Sequence, residues 1–244
     1  PQPSWDLWEE RRGVHAFTLA AVWAGLNAGA NFADAFGEPV AAQKYRTAMA
    51  EITTAADQFL WQPSANRFVR RLIPNGTGGY DIDWTIDAAV YALFQFGMYA
   101  PDDPRIVATM NNLRDRLWIK TDVGGVARYE NDYYHQVSQD VANVPGNPWF
   151  ICTLWLASWH IAQAKTFDDL KPALAIFEWV QQHALPSGVL AEQVHPYTHA
   201  PLSVSPLTWS HAAFVTAALE YLDKWSELDL CPACGNPRYS RELG

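Results

Sequence analysis

The sequence predicts an all-α fold, a toroid of stacked helical hairpins. Two observations predict it. Helical segments that are apolar nearly all round alternate along the chain with segments carrying a single apolar stripe, as expected when one helix of each pair is inside and the other outside. No β-α-β alternation competes with that reading.

Seven helical segments follow in order. Val14 to Phe36 is apolar nearly all round and rich in small residues (Ala20, Ala21, Gly25, Ala28, Ala30), so it requires cover on most sides. Glu38 to Gln62 carries the stripe Ala41, Tyr45, Ala48, Ile52, Ala55 and Phe59, with Lys44, Arg46, Glu51 and Asp57 off it. Arg67 to Ile73 suits a short strand in a connection. Trp84 to Met98 is again apolar, and Pro104 to Trp118 returns to a stripe of Ile106, Met110, Leu113 and Leu117. Asn147 to Ala164 is apolar, Phe167 to His183 is striped, and Pro206 to Leu222 is rich in Ala and aromatics.

The joins are unequal. Gly37-Glu38-Pro39 and Lys165-Thr166 are short, whereas Pro1–Gly13, Thr121–Gly146 and Leu185–Ser205 are long and polar. Long irregular segments in a helical domain are usually functional, and joins of one parity emerge on one face of an antiparallel array.

Composition narrows the function. With 244 residues, 49% of them hydrophobic, the chain can bury a substantial core. A net charge of −9 excludes a nucleic-acid or acidic-membrane partner, which needs a basic footprint, and leaves a neutral ligand open. Twelve Trp suit flat apolar faces such as sugar rings, although most Trp serve as core filler. The first residues do not have the pattern of a signal peptide. Three Cys make no disulfide framework and lean toward a reducing, cytoplasmic setting.

The long segments hold the candidate chemistry. The first carries Asp6, Glu9 and Glu10 among Trp5, Leu7 and Trp8. Indole packing would desolvate a carboxyl and favour its proton-donating form; the alternative is a helix N-terminus, where acidic residues answer the dipole. The last carries Glu192 among Gln193, His195, Tyr197, His199, Ser203 and Ser205, an environment for an ionised, water-activating carboxylate or for an ordinary solvated loop Glu. On one face, the two would form the acid and base of an inverting hydrolase, about 6.5–9.5 Å apart. In the middle segment, Arg128 and Asp132 could pair or bind hydroxyls, and Tyr129, Tyr133 and Tyr134 offer faces for stacking. A structural salt bridge is the equal alternative.

These blocks resemble a known family. Trp-Asp-Leu-Trp-Glu-Glu-Arg with Gly-Val-His-Ala-Phe-Thr is similar to the general-acid segment of glycoside hydrolase family 15, the glucoamylases with their glucodextranase and trehalase relatives. Arg128-Tyr129 with Asp132, then Gly-Asn-Pro-Trp-Phe from Gly146, resembles that family's substrate loop and following helix. Leu-Ala-Glu-Gln ending at Gln193, followed by Trp209 in Leu-Thr-Trp-Ser, resembles its general-base segment. The order is the family's order.

The resemblance implies an (α/α)6 barrel over residues 1–228, with residues 229–244 as a tail, and inverting release of glucose from the non-reducing ends of α-glucans or oligosaccharides. Glu9 matches the acid and Glu192 the base. Asp6, Trp8, Glu10, Arg128, Tyr129, Asp132, Trp149, Gln193, Ser203 and Trp209 match or adjoin substrate-binding positions, and Ser203 matches a serine that hydrogen-bonds the base. No cofactor and no metal is implied.

Two departures stand out. His135 to Pro145 is inserted relative to fungal members. The family's barrel has twelve helices, and this chain supplies about the last seven. The missing N-terminal segment is therefore expected as a partner chain or as the rest of a longer protein. A trehalase, or a non-catalytic carbohydrate-binding half-barrel, is the alternative reading. Cys231-Pro-Ala-Cys234 resembles half of a zinc ribbon without a second pair. His15, His160, His211 and Cys152 read as core residues.

Overall fold

A computed structural model of the chain describes residues 2–230, so Cys231 and Cys234 lie outside the described residues. The described residues divide into two compact units, one of residues 2–117 and 128–131, the other of residues 118–127 and 132–230.

The first unit opens with strands β1 (Ser4–Trp5) and β2 (Arg12–His15), then helices α1 (Ala16–Ala35) and α2 (Pro39–Ala55). A hairpin of β3 (Trp61–Gln62) and β4 (Arg67–Phe68) leads to β5 (Arg71–Pro74) and β6 (Tyr80–Asp83). A 3-10 turn (Ala88–Tyr91), the short α3 (Ala92–Gln95) and α4 (Pro104–Leu117) complete it. Strands β1, β2, β5 and β6 form one antiparallel sheet in that order, with Val14 opposite Leu72 and Leu72 opposite Ile82.

The structure corrects three expectations. The first helix begins at Ala16 rather than Val14, because Arg12–His15 pairs with both β1 and β5. The second helix ends at Ala55, and a π turn (Ala56–Leu60) turns the chain into β3. The apolar run from Trp84 to Met98 is helical only from Ala88 to Gln95. Ahead of it the backbone is claimed by Tyr129, which bridges Asp87, and Ala88 N–H donates to the Arg128 carbonyl. The Asp87 carboxylate then caps the turn by accepting from Ala89 N–H.

In the second unit α5 (Phe150–Gln163) is the central element, followed by α6 (Lys171–His183), strands β7 (Gln193–Val194) and β8 (Pro201–Leu202), and α7 (Thr208–Asp229). Helix α5 is buried from Phe150 to Trp159, whereas α6 buries only the stripe Ala173, Ile176, Trp179, Val180 and His183. The inside–outside alternation holds for this pair and for α4, which buries Ile106, Met110, Leu113 and Leu117. It does not hold for α1. That helix buries Ala16, Leu19, Ala20, Ala30 and Ala33, and leaves Phe32 67% exposed. On α7, Val215, Leu219 and Leu222 are likewise exposed.

Gly125 fixes the approach to α5. Its φ is +84°, and an added Cβ would stand 2.7 Å from both the Pro148 Cβ and the Trp179 ring. Gly125→Ala is expected to destabilise the protein by about 3 kcal/mol, read from the shift in urea midpoint.

His183 closes α6. Its Nδ1 donates to the Trp179 carbonyl at 2.7 Å, so its Nε2 accepts from His199 Nδ1 at 2.9 Å. Burial, and secondarily the nearby His199, holds the His183 imidazole below its ordinary value of 6.5, against the Trp179 hydrogen bond. The unfolded chain therefore takes up this proton first as pH falls. The stability is complete above about pH 6.5 and declines below it toward the folded value. His183→Gln should narrow the difference in melting temperature between pH 7.5 and pH 5.

Candidate active site

The turn between β1 and β2 presents Glu9. Asp6 N–H donates to the Arg11 carbonyl at 2.9 Å, and the Asp6 carboxylate accepts from Glu10 N–H at 2.8 Å and Arg11 N–H at 3.2 Å. Asp6 thus closes the loop by accepting from main-chain N–H groups four and five residues on. Glu9 sits at its tip with φ +58°, the left-handed region that costs a non-glycine residue about 1–2 kcal/mol. Strain of this kind is concentrated at functional sites. Glu9 is exposed rather than packed among indoles, and the segment is a hairpin loop rather than a helix start.

The neighbouring carboxylate is the pinned one. Glu10 is 13% exposed, 2.8 Å from the Arg128 guanidinium, paired with Arg11, and accepts from the Tyr129 hydroxyl. Burial pushes its pKa up, but the Tyr129 hydroxyl and the Arg128 and Arg11 charges outweigh burial and hold it below the usual value. Arg128 also lies over the Trp8 ring, 5.1 Å from its centroid. The Trp8 indole N–H donates to both Asp87 oxygens at 3.2 Å.

Asp87, Asp83 and Arg70 were not singled out from the sequence. Arg70 bridges the two carboxylates, 2.9 Å from Asp83 and 3.1 Å from Asp87, with all three buried. Burial raises the Asp87 pKa against the pull of Arg70; for Asp83 the same opposition ends the other way, at about 2. A usable signal existed: Asp87 is the one carboxylate in the apolar run Trp84–Met98, and a buried carboxylate needs a cation.

In the second unit the long segments around residues 121–147 and 185–205 come together. Thr121 Oγ1 donates to the Pro196 carbonyl at 2.6 Å, and the Ser138 and Tyr197 hydroxyls are 2.7 Å apart. Residues 147–149 stay extended instead of helical, because Trp149 bridges Val126 on one side and Gln193 on the other. Glu192 is half-buried. Its N–H donates to the Val204 carbonyl at 2.9 Å, its carbonyl accepts from Phe150 N–H at 3.4 Å, and its carboxylate accepts from Gln193 Nε2 at 3.2 Å.

Ser203, at φ +63°, precedes the residue that holds the Glu192 backbone; the hydrogen bond to the carboxylate comes from Gln193. Asp132 is buried and accepts from Tyr134 N–H at 3.0 Å. Trp149 is buried against Tyr134, and Trp209 packs on Trp155 and is 39% exposed. His211 Nε2 accepts from Leu190 N–H at 3.0 Å and steadies the start of the Glu192 segment. Among the described residues no cluster of three or more His, Cys, Asp or Glu is placed to hold a metal ion, and no helix is long and apolar enough to cross a membrane.

Comparison with known proteins gives this geometry a family. The model of the glycosyl hydrolases family 15 matches residues 1–178 and 171–219. The chain belongs to that family. An uncharacterised glycosyl hydrolase of Methanocaldococcus jannaschii is 29% identical over 89% of this chain and 34% of its own length. A glucoamylase of a Clostridium species is 28% identical over 88% of the chain and 33% of its own. The chain thus spans about a third of the length of these relatives. Among solved structures, a bacterial glucoamylase complexed with acarbose superposes with a TM-score of 0.73 at 26% identity, over 89% of this chain and 35% of that one. The fold is the helical toroid type of family 15, of which these residues form a part.

Proposed function

We propose that this chain carries the acid and base of an inverting, exo-acting α-glucoside hydrolase that releases glucose from non-reducing ends. Glu9 protonates the glycosidic oxygen as the C1–O bond breaks. Glu192 takes a proton from the water whose oxygen attacks C1 from the opposite side. Each turnover leaves Glu9 ionised and Glu192 protonated, and exchange with solvent restores both.

The observation that carries this reading is the pair of presented carboxylates in family order. One is at the tip of a held turn with positive φ, and the other is pinned through its backbone and met by a single amide. Arg128, Tyr129, Glu10, Asp6 and Trp8 would form the sugar-facing wall around the acid. Ser203 and Trp209 would do so around the base, with the buried Asp132, Trp149 and Gln193 supporting them from behind. Tyr129 and Trp149 are buried, whereas Trp209, 39% exposed, is the better placed to stack on a sugar.

The remaining helices of the ring would come from further sequence or a partner chain. The uncovered apolar residues of α1 and α7 support that requirement. The test is glucose release from maltooligosaccharides by the protein with its barrel complete. Cleavage of trehalose with no action on maltooligosaccharides selects the trehalase alternative. Sugar binding with no hydrolysis of either selects the non-catalytic one.

A further inference from the structure

We infer that Asn147 is a positioning residue for the Glu192 carboxylate, acting through Gln193; the inference rests on Glu192 being the general base. The polarity of this chain of amides is set by one main-chain carbonyl. The His135 oxygen can only accept, so the Asn147 side chain must turn its amino group toward it, at 2.8 Å. The same amino group donates its second hydrogen to Gln193 Oε1, also at 2.8 Å. Gln193 is thereby forced to present Nε2, not Oε1, to the Glu192 carboxylate.

The alternatives are closed off. Flipping Asn147 would set its oxygen against the His135 carbonyl, and flipping Gln193 would set an amide oxygen against a carboxylate. Neither group can turn to water, since Asn147 is 1% and Gln193 is 0% exposed. Inside so dry a site a mispaired acceptor is costly and a matched one is strong. Asn147 Oδ1 is itself buried with no hydrogen-bond partner, so the side chain is held through its amino group alone.

The backbone is built to place it. His135 aims its carbonyl from a left-handed conformation, φ +52°. Gly146 permits close passage: a Cβ there would be 2.8 Å from the Asp132 Cβ. Val194 N–H donates to the Pro148 carbonyl at 2.9 Å, locking the two segments side by side. A donated N–H on Oε2 fixes the orientation of the carboxylate and leaves Oε1 for the attacking water.

The test is kcat and KM on maltooligosaccharides for Asn147→Ala and Asn147→Asp in the protein with its complete barrel, each made alone and together with Glu192→Gln. Alone, both should lower kcat about tenfold and change KM less than threefold. With Glu192→Gln they should add no further loss, because the carboxylate they position is already gone. The isosteric Asp variant should be the worse of the two, because it reverses the amide polarity. If these variants do not fold, Gln193→Met should show the same fall in kcat and the same coupling to Glu192→Gln. Losses that add fully to that of Glu192→Gln, or an Asp variant as active as wild type, overturn the inference. A Glu192→Gln variant that keeps full activity instead overturns the base assignment beneath it.

Discussion

Glu192→Gln, made in the protein with its barrel complete, is expected to lower glucose release from maltooligosaccharides by about 10²–10⁴-fold, with KM little changed. The amide keeps the shape of the side chain and can still hold a water, but it cannot accept that water's proton. Glu9→Gln should show a comparable loss for a different reason: the leaving oxygen departs without a proton. The two failures separate on α-glucosyl fluoride, whose leaving group needs little protonation. Glu9→Gln should retain much of its activity there, and Glu192→Gln should not. Equal losses on both substrates would remove the division of labour.

Arg70→Met is expected to cost about 3–5 kcal/mol of stability at pH 7, because it leaves Asp87 buried without its cation, while Asp83 keeps Arg71 at 2.7 Å. The sign of the pH dependence follows. Buried without a cation, Asp87 would bind a proton more tightly folded than unfolded, so the variant should recover stability relative to wild type as pH falls from 7 toward 4. Urea midpoints across that range check it. A gap that stays constant would mean that Arg70 acts through packing rather than charge. The Asp87 carboxylate also accepts from the Trp8 indole, so activity should suffer with stability.

What the sequence revealed and what it hid divide along a physical line. Local periodicity exposed α4 and α6, whose buried positions recur every three or four residues, and an unbroken apolar run exposed α5. The four-stranded sheet was hidden because its central pair joins β2 to β5 across two intervening helices, and its strands are only two to four residues long. The same non-local pairing shortened the third helical segment, where Tyr129 claims the backbone beside Asp87.

Site residues followed the same division. Glu9 and Glu192 were singled out by their loops together with the family resemblance of the segments around them, not by the loops alone. Arg70 and Asp83 were not, since nothing near them in sequence reports that they share a buried cage. Asn147 was visible only as part of a motif; its function depends on His135 and Gln193, brought to it from either side.

The central claim is that Glu9 serves as the general acid and Glu192 as the general base of an inverting hydrolysis. Proton NMR of the glucose first released from maltooligosaccharides tests it most directly. Inversion requires the β-anomer to appear first and the α-anomer to grow in only by mutarotation. Initial release of the α-anomer would mean a covalent intermediate and retention, and would contradict the assignment of Glu192 as a base acting on water.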